Sequence, residues 1–204
     1  MRIVVIGGSQ GTGAELAQQA LAAGHEVTVL SRSGAGPDGA RRVKGDASHP
    51  AVVTEAIDGA DAVVVTVGGA KGVKHPRTQV TRAVIEAMQG AGVRRLLVQS
   101  SLGAGDSAQQ MPQLLRTLMK VALAKPLADH DAQEAAVVRS GLDWTILRPT
   151  GLSGKPGTGT WQARRVSDGG YLKGQVTRAD LASCMLEVLQ DETTVSAALG
   201  VSSV

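Results

Sequence analysis

A glycine-rich turn near the start of the chain has the residue types of a phosphate-binding site. It reads Gly7-Gly8-Ser9-Gln10-Gly11-Thr12-Gly13 and directly follows an apolar run. Residues without a Cβ let phosphate groups approach the backbone closely, and they permit positive φ angles. The N-terminus of a following helix offers unpaired N–H groups and the positive end of its dipole to such an anion. The turn therefore predicts a pyrophosphate site.

The segments on either side of the turn supply the structural context for this interpretation. Arg2 to Ile6 is predicted to be a strand buried on both faces, because four of its residues are β-branched and apolar. A helical pattern with apolar positions from Ala14 to Ala23 follows, and Gly24 is its expected C′ residue. A second strand, Glu26 to Leu30, completes a β-α-β unit. In that context the turn predicts dinucleotide binding.

The residues after the second strand distinguish between dinucleotides. An NAD site usually has Asp or Glu here to bind the ribose 2′-hydroxyl, whereas an NADP site has Arg. The chain reads Ser31-Arg32-Ser33, and the next carboxylate is Asp38. The Arg32 guanidinium can pair with a 2′-phosphate through two hydrogen bonds, and the serine hydroxyls can add to this contact. The pattern predicts NADP as the cofactor, with NADPH preferred over NADH.

Two further strand ends are predicted to reach the same cofactor. Asp46 and Ala47 follow a short third strand, Arg41 to Lys44. Asp46 suits two compatible roles, as a hydrogen-bond acceptor for the adenine amino group and as the N-cap of a helix over 49–58. A buried strand at Asp61 to Val67 ends in a tight backbone, and ligands bind at the carboxyl ends of strands in doubly wound sheets. The residues expected there are Thr66, Val67, Gly68 and Gly69.

The fifth and sixth strands carry the residues expected nearest the reacting end of the cofactor. Arg94 to Gln99 is predicted to be a strand that leads into Ser100 and Ser101. A hydroxyl at this position can hold a carbonyl or ring oxygen of a ligand, or it can simply bind the strand end. The sixth strand ends at Pro149, and a glycine-rich loop predicted to be flexible follows it. A helix over 178–190, capped by Thr177, comes next.

Length and element order predict the fold class. Strands alternate with helices over 204 residues, which predicts an α/β doubly wound parallel sheet in a single domain. Residues 106–128 and 150–176 are expected to form a small substrate-side region. The segment 106–128 is apolar and helical, so a lid, a dimer surface and plain core are all compatible with it. We expect a monomer or a homodimer.

Composition excludes several classes of function. The net charge is +3 and the basic residues are scattered, which argues against a nucleic-acid-binding surface. The single cysteine, Cys184, excludes an internal disulfide and a cysteine-based metal cluster, and we expect it to be a buried core thiol. We predict no metal site. Neither a signal peptide nor an apolar run of membrane-spanning length is apparent, which predicts a cytoplasmic protein without a membrane partner.

Taken together, the motifs closely resemble those of the atypical short-chain dehydrogenase/reductase superfamily, in its small single-domain NAD(P)H-binding branch. The resemblance extends over nearly the whole chain and implies an NAD(P)-binding Rossmann fold. The most similar patterns are those of flavin and biliverdin reductases, with NmrA-like regulators further away. The motifs that carry it are VVIGGSQGTG, Ser31-Arg32, VKGDAS, LVQSSLGAG, RSGLDWTILRP and VTRADLASCML.

One motif common among enzymes of that superfamily is missing. Many of them use a Tyr-x-x-x-Lys pair, in which the phenol donates a proton. The equivalent positions are Pro126 and His130, so the pair is absent. The flavin-reductase-like branch also lacks the pair, and Asp129-His130 resembles its pattern. Flavins and quinones do not require a strong protein acid, since their conjugated rings spread the charge that arrives with a hydride.

The sequence therefore supports two hypotheses of different classes. The first is an NADPH-dependent oxidoreductase that transfers hydride to a flavin, a quinone or a similar conjugated acceptor. Its catalytic candidates are Ser100 and Ser101, which would hold substrate or amide, and His130, which would supply or orient a proton or be an ordinary histidine at the start of a helix. The second is a non-catalytic NADP(H)-binding redox sensor of the NmrA-like type. Besides the residues above, Ser100 and Pro149 are expected to contact the cofactor.

Overall fold

The computed structural model describes residues 1–68 and 76–204, and its centre is an eight-stranded sheet. The strands are β1 (Arg2–Ile6), β2 (Glu26–Ser31), β3 (Arg41–Lys44), β4 (Ala62–Val65), β5 (Arg95–Gln99), β6 (Asp143–Pro149), β7 (Gly151–Ser153), β8 (Gln162–Arg164), β9 (Gln175–Thr177) and β10 (Ala197–Ser202). Their order in the large sheet is β3-β2-β1-β4-β5-β6-β10-β8. All neighbours pair in parallel except β8, which is antiparallel to β10. A small parallel sheet joins β7 and β9.

Helices cover both faces of this sheet. They are α1 (Gly11–Ala22), α2 (Pro50–Ile57), α3 (Pro76–Ala91), α4 (Gln113–Ala122), α5 (Ala124–Val138) and α6 (Arg178–Gln190). Apolar residues of α1 and α6 pack on one face, and those of α2, α3 and α5 pack on the other. Short 3-10 turns occur at 107–110, 166–168 and 192–194. The predicted fold class, an α/β doubly wound parallel sheet, is confirmed.

The strands at the centre of the sheet are apolar throughout because both of their faces are buried. In β1, Ile3 and Val5 face the layer of α1 and α6, whereas Val4 and Ile6 face the layer of α2 and α3, and all four are 2% exposed or less. Cys184 of α6 is fully buried in the first layer, and burial raises the pKa of its thiol to about 12. The prediction of a core thiol is confirmed.

The C-terminus of α1 has the geometry that its sequence predicts. Gly24 adopts a φ of +82°, the left-handed conformation that favours glycine. The His25 N–H donates to the Ala20 carbonyl at 3.0 Å, and the Gly24 N–H donates to the Leu21 carbonyl at 3.0 Å. This is a Schellman motif, and it turns the chain sharply into β2.

The sequence did not predict β7, β8, β9 or β10. β10 extends the sheet beyond β6, with Ala198 opposite Ile146 and Leu199 opposite Leu147. Its sequence, AALGVS, contains small residues with low strand propensity, so pairing with β6 determines its conformation. The loop after Pro149, predicted to be flexible, instead begins with β7, which pairs with β9 over three residues.

Two local predictions on helices were wrong. α5 begins at Ala124, and Pro126 falls in its first turn, where proline is tolerated. His130 therefore lies within the helix and not at its start. The N-cap of α2 is His49 rather than Asp46, because Pro50 occupies the first helical position. Asp46 instead accepts a hydrogen bond from the Ser48 N–H at 2.9 Å.

The segment predicted to be apolar and helical contains an exposed apolar stripe. On α4, Leu114, Leu118 and Val121 are 86%, 63% and 77% exposed. Met119 is half-buried and packs against a small cluster of Leu102, Met111 and Leu172. The stripe is thus not part of the core of the described chain.

Over residues 1–68 and 76–204, none of the helices combines the length and the apolar character needed to cross a bilayer.

Candidate functional site

A cleft of about 400 Å³ opens over the carboxyl ends of β1 and β4, where the strand order reverses direction. In open α/β sheets this switch point is where ligands bind. The side chains and backbone around it come from strand ends, from the first turns of α1, α3 and α6, and from β7. They are Ile6, Gly7, Ser9, Gln10, Gly11, Thr12, Leu30, Ser31, Arg32, Gly45, Asp46, Ala47, Ser48, Thr66, Val67, Gly68, Pro76, Gln79, Val80, Gln99, Leu152 and Arg178.

The N-terminus of α1 reaches this cleft without a side-chain cap. Its N-cap residue, Gln10, makes no capping hydrogen bond, and the first turn carries no acidic residue within the described chain. The first N–H groups of a helix need an external acceptor, and the helix dipole favours an anion beside them. Gly11 and Thr12 of this turn line the cleft. The backbone therefore fits a pyrophosphate group.

Glycines bring α1 close enough to the sheet for this arrangement. A Cβ on Gly13 would lie 2.6 Å from the Gly7 carbonyl oxygen and 2.5 Å from Thr66 Oγ1. A Cβ on Gly8 would lie 3.0 Å from the side chain of Val29. Gly8 and Gly13 are buried and do not line the cleft, so they shape the turn, whereas Gly7 lies on its surface.

Several of the predicted residues meet at the β2 end of the cleft. Ser31, Arg32, Asp46 and Ala47 all line it. The Arg32 side chain is exposed. The hydrogen bond from the Ser48 N–H holds the pKa of the Asp46 carboxyl below its usual range, and the nearby Arg32 charge adds to this effect. This end thus presents an ionised acceptor and a guanidinium side by side.

The two serines that flank Arg32 have local partners. Ser31 Oγ donates to the Ala35 carbonyl at 2.9 Å, and Ser31 is buried. Ser33 Oγ accepts from the Ala35 N–H at 3.2 Å, and Ser33 is not among the lining residues. Their hydroxyls form the turn after β2, which places Arg32 at the cleft.

The end of β4 supplies the middle of the cleft. Thr66, Val67 and Gly68 line it, and Thr66 Oγ1 donates to the Ile6 carbonyl at 3.0 Å. This bond joins the ends of β4 and β1 directly below the phosphate turn. Gly69, also predicted to contact the cofactor, lies outside the described residues, as do the loop residues Lys71, Lys74 and His75.

Ten lining residues were not predicted from the sequence: Ile6, Leu30, Gly45, Ser48, Pro76, Gln79, Val80, Gln99, Leu152 and Arg178. Gln79 and Val80 belong to the first turn and a half of α3, which begins at the edge of the cleft. Gln99 is the last residue of β5 and directly precedes the predicted site residues Ser100 and Ser101. Arg178 directly follows Thr177, which was recognised only as a helix cap.

The catalytic candidate Ser100 lies in a buried polar cluster. It is 3% exposed, and its Oγ donates to Glu134 Oε1 at 2.6 Å. Arg148 binds the same carboxylate through two contacts, from Nε to Oε1 at 3.0 Å and from Nη2 to Oε2 at 2.7 Å. Paired contacts of this kind are strong and directional. Because the proton of Ser100 is held by Glu134, the hydroxyl presents its lone pairs to any other group.

Arg148 connects this cluster to the loop after β5. Its Nη1 donates to Asp106 Oδ1 at 2.6 Å, and the side chain is 6% exposed. Burial lowers the pKa of the Arg148 guanidinium, but the bonds from Glu134 and Asp106 outweigh it and the pKa is raised. The cluster is an ion-pair network that joins β6, α5 and the loop at 106.

His130 lies against the same cluster. Its Nδ1 is 3.4 Å from Ser100 Oγ, and the residue is 7% exposed. Burial, helped by the positive charge of Arg77, lowers the pKa of His130 to about 4. The imidazole is therefore neutral at neutral pH, so it can orient a hydrogen bond but is not an imidazolium ready to release a proton.

The residue before His130 has a structural role. The Asp129 carboxylate accepts from the backbone N–H groups of Arg77 and Thr78, at 3.2 and 3.1 Å, and from Thr78 Oγ1 at 2.8 Å. It thus caps the N-terminus of α3 from the neighbouring helix. This contact fixes α3, and with it Gln79 and Val80, against α5.

The remaining candidates also lie beside the cleft rather than on it. Ser101 Oγ donates to the Leu102 carbonyl at 3.2 Å. The Pro149 carbonyl accepts from the Leu102 N–H at 2.9 Å. Neither residue is among those lining the cleft, and the same holds for Ser100 and His130. The structure thus brings the residues predicted to bind phosphate and ribose together around the cleft. The predicted catalytic residues Ser100, Ser101 and His130 are not among the residues that line it.

Comparison with known proteins identifies the family. A family model described as NAD(P)H-binding matches residues 7–192. The chain belongs to this NAD(P)H-binding family. ChuY of Escherichia coli O157:H7, described as an anaerobilin reductase, is 26% identical, with a TM-score of 0.83 over 100% of this chain and 97% of that one. The predicted membership of an NAD(P)H-binding family with a Rossmann fold is confirmed.

Two further proteins are similar to this chain, one in structure and one in sequence. A short-chain dehydrogenase/reductase from Veillonella parvula in complex with NADP has a TM-score of 0.83 over 99% of this chain and 94% of that one, and at 18% identity it shows the shared fold. YhfK of Bacillus subtilis, named as an uncharacterised sugar epimerase, is 29% identical over 150 residues. That match covers 71% of this chain and 64% of YhfK, which is less than two thirds of the curated relative.

The close approach at Gly13 predicts that Gly13→Val abolishes cofactor binding. The new side chain would collide with the Gly7 carbonyl and with Thr66, so the helix N-terminus would move away from the cleft. We expect titration calorimetry to show affinity for NADPH and NADH lowered by at least about a hundredfold. Gly90→Val is the matched control, since a Cβ at Gly90 meets nothing within 4 Å. Unchanged affinity in Gly13→Val would show that the turn does not bind phosphate.

The buried His130 predicts a pH dependence of stability. In the unfolded state His130 has its ordinary pKa of 6.5, whereas in the folded state its pKa is about 4. The unfolded state therefore binds more protons in this window, and stability falls as the pH drops from about 6.5 to 4. The contribution is of the order of 3 kcal/mol. Urea unfolding measured across this pH range should show that the free energy of unfolding falls less for His130→Gln than for wild type or for the exposed control His49→Gln. Identical slopes would contradict it.

Proposed function

We propose that this protein is an NADPH-dependent oxidoreductase that transfers hydride to a flavin, a quinone or a similar conjugated acceptor. The observation that carries the proposal is the uncapped N-terminus of α1 at the switch point of the sheet. Membership of the NAD(P)H-binding family supports a nicotinamide dinucleotide as the ligand. The position of Arg32 at the β2 end of the cleft supports NADP over NAD.

The chain would hold the cofactor at separate points along the sheet edge. The N–H groups of Gly11 and Thr12 would bind pyrophosphate, and Arg32 would bind the 2′-phosphate. Asp46, ionised and next to Arg32, would accept from the adenine amino group. Bound NADPH supplies a hydride to the acceptor. The chain's contribution to that step would be positioning and the exclusion of water.

The polar groups near the reacting end suit an acceptor that needs no strong acid. The Ser100 hydroxyl already donates its hydrogen bond to Glu134, and His130 is neutral at neutral pH. Among the described residues that line the cleft there is no Tyr, Lys or His. A conjugated acceptor can receive hydride under these conditions and take a proton from solvent. The likeness to ChuY, described as an anaerobilin reductase, points to the same class of reaction.

The same observations favour one second candidate. A cleft whose described lining has no strong proton donor also suits an NADP(H)-binding sensor that does no chemistry. In that case the exposed stripe of α4 would be available to a partner protein. Turnover is the property that separates this candidate from the enzyme.

The proposed role of Arg32 predicts that Arg32→Asp reverses the cofactor preference. Attraction to the 2′-phosphate would become repulsion, while Asp can bind a ribose 2′-hydroxyl. In a fluorescence titration we expect NADPH affinity to fall by about tenfold or more, with NADH affinity unchanged or increased. Arg139→Asp, at the exposed C-cap of α5 on the opposite edge of the sheet, is the control for the change in net charge. Equal changes for both cofactors would contradict the assignment.

The reaction itself is tested by NADPH oxidation with a panel of acceptors. We expect steady turnover with FMN, riboflavin, a quinone or a linear tetrapyrrole such as biliverdin, and slower turnover with NADH. Cofactor oxidation is followed by absorbance, with the Gly13→Val variant as the background control. Tight NADPH binding without turnover of any acceptor in the panel would contradict the proposed enzyme and favour the redox sensor.

A further inference from the structure

We propose that Arg178 is the second cationic ligand of the bound dinucleotide and binds its pyrophosphate. This inference rests on the proposed cofactor and adds a residue from the last helix to the site. Arg178 is the first residue of α6, more than 160 positions after the glycine-rich turn in sequence. It lies opposite that turn in the fold.

The position of the guanidinium is defined by two glycines. A Cβ built on Gly11 would lie 3.6 Å from Arg178 Nε, and one built on Gly154 would lie 3.6 Å from Arg178 Nη1. The side chain therefore extends from α6 across the space between the phosphate turn and the segment after β7. It is half-buried and lines the same cleft as Ser9, Gln10 and Gly11.

Arg178 has no anionic partner in the chain as described. With the residues that the structure describes, 1–68 and 76–204, the Arg178 side chain makes no hydrogen bond and no ion pair within 4.0 Å. Its nearest carboxylate in sequence, Asp180, is fully engaged by other groups. A half-buried cation in the first turn of a helix is unfavourable, because it faces the positive end of the dipole. A bound anion would offset both the partial burial of the charge and its repulsion from the helix dipole.

Asp180 and Gln19 hold the first turn of α6, from which the Arg178 side chain extends, in place. The Asp180 carboxylate accepts from the Thr158 and Gly159 N–H groups and from Thr177 Oγ1, at 2.9, 2.9 and 2.8 Å. These bonds fasten the loop after β7 to the first turn of α6. Gln19 Nε2 of α1 donates to the Ala179 carbonyl at 3.0 Å. The first turn of α6 is thus tied both to the loop and to the helix whose N-terminus would bind the same phosphates.

The geometry assigns Arg178 a chemical role different from that of Arg32. Arg32 lies at the end of β2 beside Asp46, where the adenosine half of the ligand is expected. Arg178 lies beside the first turn of α1, where the pyrophosphate is expected. Both NADPH and NADH contain the pyrophosphate, so Arg178 should not discriminate between them. It should instead contribute to the affinity for either.

The test compares Arg178→Gln with Arg32→Gln on four ligands by titration calorimetry. NADPH, NADH and ADP-ribose contain a pyrophosphate, whereas 2′-AMP contains only the 2′-phosphate. We expect Arg178→Gln to weaken the first three by about tenfold and to leave 2′-AMP within about twofold. Arg32→Gln should also weaken NADPH, but together with 2′-AMP, and it should spare NADH and ADP-ribose.

Controls separate the possible failures. Arg139→Gln, at the opposite edge of the sheet, controls for the loss of one positive charge, and Arg178→Lys should recover part of the lost affinity. Unchanged ADP-ribose binding in a folded Arg178→Gln protein would overturn the role of Arg178 alone. A loss confined to NADPH and 2′-AMP would overturn it too, since it would place Arg178 at the 2′-phosphate. If wild type binds none of the four ligands, the proposed function fails together with this inference.

Discussion

The site depends on how closely the first turn of α1 approaches the ends of β1 and β4. Only a residue without a side chain fits at Gly13, because the Gly7 carbonyl and Thr66 Oγ1 occupy the space that a Cβ would need. Thr66 also binds the Ile6 carbonyl, which holds β4 against β1 at the same point. These contacts keep the unpaired N–H groups of α1 above the switch point, where a pyrophosphate can satisfy them. Every other element of the cleft is arranged around that helix end.

A second constraint, the ion pair of Arg148 and Glu134, organises the neighbouring strand ends. Both side chains are 6% exposed, so each would be costly to bury without the other. The network also includes Ser100 and reaches Asp106, and it therefore fixes β5, β6 and α5 relative to one another. It has a chemical consequence as well, because a serine whose proton is held by an ionised carboxylate accepts hydrogen bonds rather than donating them. The cluster suits orientation of a ligand better than acid catalysis.

The sequence was sufficient where the signal is local and failed where partners distant in sequence decide the structure. Continuous apolar runs identified β1 and β4, and glycine spacing identified the turn and the end of α1, because each depends on adjacent residues. β10 has no comparable signal, since alanine, glycine and serine form a strand there only by pairing with β6. The position of Ser100 directly after β5 was predicted from the sequence, but its burial against Glu134 depends on α5, more than thirty positions away. Arg32 could be predicted because it follows the second strand of the β-α-β unit. Arg178 could not, because it reaches the cleft only through the packing of α6 on α1.

The distribution of charge along the cleft favours one orientation of a bound dinucleotide. The cations lie at the end of β2 and beside the first turn of α1, on Arg32 and Arg178. Beyond them, the described lining from β4, β5, β7 and α3 is uncharged, and it includes Thr66, Gln79, Val80, Gln99 and Leu152. Within residues 1–68 and 76–204, Gln99 Oε1 is buried without a hydrogen-bond partner, which leaves an acceptor for a donor group on a ligand. Phosphates would be drawn to the charged end and the neutral ring to the other. An acceptor that meets the ring there would encounter aliphatic and amide groups, which suits a flat conjugated molecule better than a sugar.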